Sequence, residues 1–509
     1  MKKIYIISFL SLFLLIVTGC KKDFLDVQPT QFLTQEQVTE AAKNNPDVVA
    51  GSMSGIYTLM FQDYTGGSDG HDDFGQKGYD IFSDFLSGDL ALTQSSYNWY
   101  RRTTEFTATQ DYTNIVNYIP WRYYYRIIRS ANTVIASLGG NDVVPELKAN
   151  QYIMGQAKAM RAYAYFYLTQ FYATSYDATA EILPIYTDPA QQNQPKSTTQ
   201  DVFNLMINDL TQADSLLGDF QRTAKHQVNK YVAEGLLAYV YAAMGGQDNW
   251  VKAKNLTADI IQNGGFTIMD STEVVYRGNP DVGGFNSVST PGWMWGVDLT
   301  LANGLDLVSW WGQMDAWTYS YQWAGDRKAL DAGLYSEIPA DDVRKGQFYP
   351  YSSSSYYLTP IFKFYPPTMN TQTWNFGKGQ REVTTDYVYM RVAEMYLLNA
   401  ETAAKSGDEA TARTSLKDLM KLRVPNVSYI DNLTGQALLD EIYLQTRIEL
   451  WGEGKSYLAM KRDKATIVRG SNHLSYVGVP IPYNDPRLTF SIPQAEILNN
   501  PFISQGNKN

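Results

Sequence analysis

The residues best suited to ligand-binding chemistry lie in one aromatic stretch, residues 291–323. Six of the chain's 11 tryptophans are in it, with two tyrosines: Trp293, Trp295, Trp310, Trp311, Trp317, Trp323, Tyr319 and Tyr321. The stretch has no Lys or Arg, and its apolar residues follow neither a helical nor a strand period. Uncharged rings with polar tips stack on the apolar faces of sugars. The other interpretation is that these rings fill a core, since large aromatic side chains are mostly buried.

A second group of reactive side chains lies in the Gly-rich segment 69–89, which carries six aspartates. Paired carboxylates could serve a glycosidase and clustered ones could bind calcium, but the spacing does not match a calcium-binding EF-hand loop. Aspartate in Gly-rich segments is typical of turns. The three His lie far apart, and the single Cys, Cys20, excludes a Cys-based zinc site. We therefore expect no catalytic residue, no metal and no cofactor.

The overall charge excludes one large class of partner. The formal net charge is −10 and the pI is about 5.0, with no run of Lys or Arg within the body of the chain. Binding to nucleic acid requires a basic face. We therefore expect no nucleic-acid partner.

The N-terminus resembles a bacterial lipoprotein signal. Lys2 and Lys3 precede an apolar run, residues 4–17, which is too short to span a bilayer comfortably. Gly19 and Cys20 follow it directly. We predict a signal peptide at residues 1–19, lipid attachment to Cys20, and a polar tether over residues 20–34. An ordinary signal peptide with an incidental Cys is the alternative.

The rest of the chain, residues 35–509, reads as a single body built mainly from helices. Helical periodicity predicts a scaffold over residues 35–265 and 387–461, with an irregular insert at 266–386 and C-terminal loops at 462–509. Within the scaffold, residues 63–102 read as a loop because they are rich in Gly and Asp. The aromatic stretch lies inside the insert.

A weak internal repeat suggests how the scaffold is built. Val232-Ala233-Glu234 recurs as Val392-Ala393-Glu394, and further matches follow in the same register. Both copies read as a helix, a Gly-containing turn and a helix, at about the tetratricopeptide period of 34 residues. We predict tetratricopeptide-like hairpins that stack side by side as an α-α superhelix.

Several motifs in order along the chain resemble the SusD/RagB family of outer-membrane nutrient-binding lipoproteins of Bacteroidetes. They are Cys20 with Phe24-Leu25-Asp26 and Pro29; Arg161-Ala162 in an aromatic helix; Asp342-Val343-Arg344; Arg391, Ala393-Glu394 and Ala400-Glu401; Arg447, Glu449-Leu450 and Glu453-Gly454; and Ile492-Pro493, Glu496 and Asn500-Pro501. The resemblance implies a mainly α fold with four tetratricopeptide-like hairpins. It also implies that the protein captures glycan at the cell surface and passes it to a SusC-like TonB-dependent transporter. The protein would then be non-enzymatic and lipid-anchored in the outer membrane.

The resemblance places glycan sites of the family in two regions, which correspond here to residues 84–101 and 293–321. Within them we expect Trp99, Trp311, Trp317 and Tyr319 to stack on sugar rings, and Asp89 and Asn98 to bond sugar hydroxyls. Two other functions stay open: binding of peptide in place of glycan, and a glycoside hydrolase that uses two carboxylates.

If Trp311 or Trp317 anchors a sugar, its replacement by alanine should weaken glycan binding by about 1–3 kcal/mol, as for aromatic anchors at other interfaces. Calorimetry of the folded variants against the bound glycan measures this. Unchanged affinity would remove that residue from the site.

Overall fold

The structure is a computed structural model that describes residues 35–378 and 383–504. Helices α1–α10 are Gln35–Ala42, Asp47–Leu59, Gln76–Ser87, Arg101–Thr104, Thr107–Gln110, Ile115–Ser137, Lys148–Tyr172, Thr199–Leu216, Lys230–Met244 and Gln247–Asn263. Helices α11–α18 are Trp310–Met314, Tyr321–Ala324, Ala332–Glu337, Val392–Lys405, Glu409–Met420, Gly435–Glu449, Ser456–Arg462 and Gln494–Asn499. Strands β1–β8 are Leu90–Leu92, Glu181–Pro184, Lys196–Thr198, Trp293–Val297, Lys328–Leu330, Tyr387–Arg391, Thr466–Val468 and Pro480–Pro482. The predicted signal peptide, Cys20 and the tether lie outside the described residues.

The long helices stack in one row, in the order α6, α7, α8, α9, α10, α14 and α15, each packed on the next. Helix α14 follows α10 in this row although the insert separates them in sequence. The antiparallel pair β4–β6 lies at the base of the insert. The mainly helical, tetratricopeptide-like architecture predicted from the sequence is confirmed.

The two predicted repeat copies are helical hairpins, α9–α10 and α14–α15. Asn229 caps α9 by accepting from the Val232 amide, and Asp408 caps α15 by accepting from the Thr411 amide. Gly245 and Gly407 take positive φ in the turns, a conformation that glycine adopts without a steric penalty. Ala233, Ala393 and Ala403 are buried, which lets the helices approach closely.

The prediction of a loop over residues 63–102 is wrong for residues 76–87 and 90–92, which form α3 and β1. Residues 76–87 form α3, and every residue of this helix is buried. The apolar residues Tyr79, Phe82, Phe85 and Leu86 recur at helical spacing, but the Gly and Asp content of the surrounding segment favours turns and obscures this stripe. Its acids are internal: Asp80 pairs with Lys77 at 2.9 Å, and Asp84 accepts from the Gly454 amide at 3.0 Å.

A buried ion network joins the insert to the scaffold. The Glu449 carboxylate lies 3.1 Å from Arg344, 2.7 Å from Arg391 and 2.9 Å from Arg423. Glu453 bonds Arg391 at 2.6 Å and Lys363 at 2.9 Å. Burial alone would raise the pKa of Glu449, but the guanidinium charges outweigh it and hold the pKa well below its usual range.

Among residues 35–378 and 383–504, no helix combines the length and the apolar character needed to cross a membrane.

Replacing Glu449 with glutamine should lower the free energy of unfolding by about 3–5 kcal/mol, because three buried guanidinium groups lose their shared counter-charge. Denaturant unfolding measures the loss. Glu40→Gln, in an exposed pair with Lys43, is the matched control and should change nothing measurable. Equal stability of Glu449→Gln and the parent chain would contradict the role assigned to the network.

The stability of the Glu449→Gln variant should also depend less on pH in the acidic range. Because the folded pKa of Glu449 is depressed, its contribution is fully present above the unfolded pKa of about 4.3 and is lost as the pH falls below it. The parent should therefore lose more stability than Glu449→Gln between pH 5 and pH 3, as followed by thermal unfolding. Parallel pH profiles would be inconsistent with a depressed pKa at Glu449.

Candidate functional site

The loop after β1, residues 93–99, is fixed by contacts with residues of the insert. Strand β1 pairs antiparallel with β5. The fully buried carboxylate of Asp326 accepts from the Tyr97 amide at 2.7 Å and from the Trp99 amide at 3.1 Å. The backbone of Tyr97, Asn98 and Trp99 is therefore fixed by a residue far away in sequence.

A tight turn before α12 is held by a second buried acid. Asp315 accepts from the Trp317 amide at 2.8 Å and from the Thr318 hydroxyl at 2.7 Å. Burial raises the pKa of Asp315 to about 6 despite these hydrogen bonds. Ser320 caps α12 by accepting from the Trp323 amide. The turn places Tyr319 beside α12.

These two segments and one residue of an earlier loop bring four rings into contact, and a pair of rings lies next to them in sequence. We call the six rings the aromatic cluster: His71, Tyr97, Trp99 and Tyr321, with the pair Tyr319 and Trp323. Trp99 stacks parallel on His71, with centroids 5.1 Å apart and an interplanar angle of 2°. Tyr321 meets Trp99 and Tyr97 edge-on, at 5.9 and 5.3 Å. Tyr319 packs on Trp323 at 5.5 Å. The contacts between these rings hold them in defined orientations.

A hydrogen bond joins two members of the aromatic cluster. The Tyr321 hydroxyl lies 2.6 Å from Nδ1 of His71. Burial lowers the pKa of His71 and outweighs the opposing charges of Asp306 and Asp69, so the imidazole ring is neutral at pH 7. The ring that backs Trp99 therefore adds no positive charge to this surface.

Part of the cluster faces solvent. Tyr97 is 55% exposed and Tyr319 is 37% exposed, while Trp99 and Trp323 are half-buried. Asn98 is exposed, and its Oδ1 accepts from Arg101 at 3.2 Å. Rings exposed next to an amide and phenol hydroxyls are typical of carbohydrate-binding surfaces, which combine stacking with a few polar contacts.

Asp89, which we expected to bond a ligand, lies elsewhere in a structural ion pair. It is 1% exposed, and its Oδ1 is 2.5 Å from Arg447. Its carbonyl oxygen accepts from Nε1 of Trp451 at 2.8 Å. We correct the assignment, because this carboxylate is occupied and is not accessible to a ligand.

Trp311 and Trp317, expected to stack on sugars, are 3% and 0% exposed. Their Nε1 atoms donate to the carbonyls of Thr385 at 2.7 Å and Ile361 at 2.9 Å. Trp317 belongs to a small core within the insert and stacks at 5.9 Å on Trp374, which is exposed. We remove both rings from the candidate site. The lack of Lys and Arg in this stretch of sequence is therefore explained by burial of the two rings, and not by an exposed binding surface.

Asn98, Trp99 and Tyr319 are thus the sequence-predicted residues that are accessible to a ligand, and their binding of a glycan stays a prediction. The sequence analysis did not assign His71, Tyr97, Tyr321 or Trp323 to the site. Tyr97 adjoins Asn98 and Trp99, and Tyr321 and Trp323 belong to the aromatic stretch, so proximity in sequence was a usable signal for these three. No sequence signal pointed to His71.

Family models match most of the chain. The one described as starch-binding, associating with outer membrane, covers residues 23–242, and the SusD family model covers residues 346–509. The chain belongs to the SusD/RagB family.

Individual relatives are distant. A SusD-like protein of Bacteroides ovatus is 26% identical over 170 residues, which is 31% of this chain and 29% of the relative. SusD-like protein P25 of Formosa agariphila is 21% identical over 263 residues, covering 51% of this chain and 46% of the relative. The matched regions therefore span less than half of either relative.

Solved structures show the same fold. A SusD-like carbohydrate binding protein from Bacteroides vulgatus has a TM-score of 0.71 at 23% identity, over 89% of this chain and 96% of that one. Surface glycan-binding protein A of Bacteroides uniformis has a TM-score of 0.64 at 16% identity, over 91% and 100%. At these identities the similarity establishes the architecture alone.

The burial of Trp317 changes what its mutation should do. Trp317→Ala should lower the free energy of unfolding by about 3–5 kcal/mol, because it opens a cavity in a packed core. Tyr97→Ala, at an exposed ring, should change it by about 0.5 kcal/mol or less. Denaturant unfolding of both variants tests the assignment. A Trp317→Ala protein as stable as the parent would contradict it.

Proposed function

We propose that this protein binds oligo- or polysaccharide at the cell surface through the aromatic cluster and delivers it to a SusC-like TonB-dependent transporter. The observation that carries the proposal is the partly exposed ring of Trp99. His71 stacks behind it, and Tyr321 connects it to the exposed ring of Tyr97. A ring fixed by a second ring behind it can stack on a sugar with little loss of conformational freedom. Membership of the SusD/RagB family supports a carbohydrate ligand.

We further propose that the protein is not an enzyme and is anchored to the outer membrane through a lipid on Cys20. The family model whose description includes association with the outer membrane supports this location. Burial of the acids in segment 69–89 argues against the alternative function, a glycoside hydrolase. Asp72, Asp73, Asp80, Asp84 and Asp89 are all buried, so they do not form an accessible carboxylate pair.

Trp99→Ala should weaken glycan binding by about 1–3 kcal/mol, because it removes the stacking ring at the centre of the cluster. The chain from Lys21 onward keeps every described residue and is the form to titrate. Calorimetry against plant, host and microbial glycans identifies the ligand, and the variant is then measured on it. Circular dichroism verifies that the variant is folded.

Tyr351→Ala is the matched control, since Tyr351 is 62% exposed and lies outside the aromatic cluster. It should leave glycan affinity unchanged. Full affinity in folded Trp99→Ala would exclude the cluster as the site. Binding of peptides in place of glycans would favour the peptide alternative, and release of shortened glycan would show a hydrolase.

A further inference from the structure

A groove rich in arginine runs along α6 and shares no lining residue with the aromatic cluster. It encloses about 760 Å³ between α6, the loop 186–192 and α18. Arg122, Arg126 and Arg129 line it from α6. Their spacing of four and three residues puts the three side chains on one face of the helix. This volume is typical of small-molecule ligand sites.

Aromatic side chains alternate with the arginines along the same face. Trp121 and Tyr125 line the groove with centroids 4.8 Å apart, and Tyr125 meets Tyr186 of the opposite wall edge-on at 5.9 Å. The Tyr125 hydroxyl donates to the Pro184 carbonyl at 2.9 Å. The rings therefore form a fixed wall beside the cationic side chains.

The three arginines have no counter-charge of their own. Within the part of the chain that the structure describes, none of them forms an ion pair, whereas the buried Arg161, Arg344, Arg391 and Arg423 all do. Arg126 and Arg129 are exposed, and Arg126 donates to the Thr65 carbonyl at 2.7 Å.

The acids that line the groove are already engaged. Glu496 accepts from Nε1 of Trp121 at 3.3 Å and from the Asn500 amide group at 2.8 Å. Asp188 accepts from the Ala190 amide at 2.7 Å. With three arginines against two acids, the groove carries more positive than negative charge in a protein whose formal net charge is −10.

We infer that this groove is a second saccharide site, specific for sugars that carry anionic groups, either uronate carboxylates or sulfate esters. Guanidinium groups bond planar or tetrahedral oxyanions through two parallel N–H donors. The aromatic wall accepts the flat face of the same sugar ring. An acidic peptide would satisfy the arginines but would leave the rings without a flat partner.

The inference goes beyond the proposed function, with which it shares only the saccharide class of ligand. The two sites share no lining residue, although both touch one loop: Thr65 contacts Arg126, and His71 belongs to the aromatic cluster. Variants at Arg129 and Trp99 therefore test them separately.

The test is calorimetric titration of the chain from Lys21 onward with oligogalacturonate, a sulfated galactan oligosaccharide, a neutral galactan oligosaccharide and polyglutamate. We expect binding of one or both anionic saccharides, and the comparison of uronate with sulfate identifies the anion. Each arginine removed should weaken that binding about tenfold, as expected for a charge-assisted hydrogen bond. The double variant Arg126→Gln/Arg129→Gln should therefore bind far more weakly and with less salt dependence.

Arg277→Gln is the matched control, an exposed arginine outside the groove, and should bind like the parent. Arg129→Gln alone changes one exposed side chain and keeps the test valid if the double variant folds poorly.

Trp99→Ala should leave anionic binding intact. Loss in Trp99→Ala without loss in the arginine variants would overturn the groove and leave the proposed function standing. In the Trp99→Ala protein, where the aromatic cluster is disabled, equal binding of the neutral sugar, equal binding of polyglutamate, or no binding of either anionic saccharide would also overturn it.

Discussion

The buried carboxylate of Glu449 is the constraint on which the rest of the structure depends. It receives guanidinium groups from three separate segments: Arg344 in the insert, Arg391 before α14 and Arg423 after α15. A buried charge of this kind is tolerated only when it is fully paired, so the three segments can occupy few other arrangements. Lys363 and Glu453 extend the same network into the insert. The insert is therefore held to the helical scaffold at a defined place.

That placement is what assembles the candidate site. The aromatic cluster takes residues from the early loop and from the insert, and neither segment alone would orient its rings. Asp326 of the insert fixes the backbone of Tyr97 and Trp99, and β5 pairs with β1. Asp89 connects this region to the network, because its side chain pairs with Arg447, two residues before Glu449. Asp89, which the sequence suggested as a ligand contact, is thus a structural residue whose ion pair stabilises the region next to the site.

The sequence predicted the architecture well because helical periodicity and turn glycines act locally. It predicted the regions of the site but only some of its residues, because exposure depends on tertiary packing. Trp311 and Trp317 have the composition of a binding platform and are core, while Tyr97 has the same chemistry and is exposed. Helix α3 was missed because the Gly- and Asp-rich sequence around it favours turns, and because its polar face is buried through the Lys77–Asp80 ion pair, which the pattern does not show. The motif residues Arg391, Glu449 and Glu453 carry the family resemblance, yet pattern alone did not show that they form one ion network.

Hydrogen–deuterium exchange of the chain from Lys21 onward, with and without the best-binding glycan, tests the central claim most directly. A ligand that stacks on the aromatic cluster should slow amide exchange in residues 93–99 and 318–325, where the rings are attached to the backbone. Segments around the buried Trp311 should exchange alike with and without ligand. Protection confined to other segments, with residues 93–99 and 318–325 unchanged by a saturating glycan, would contradict the account.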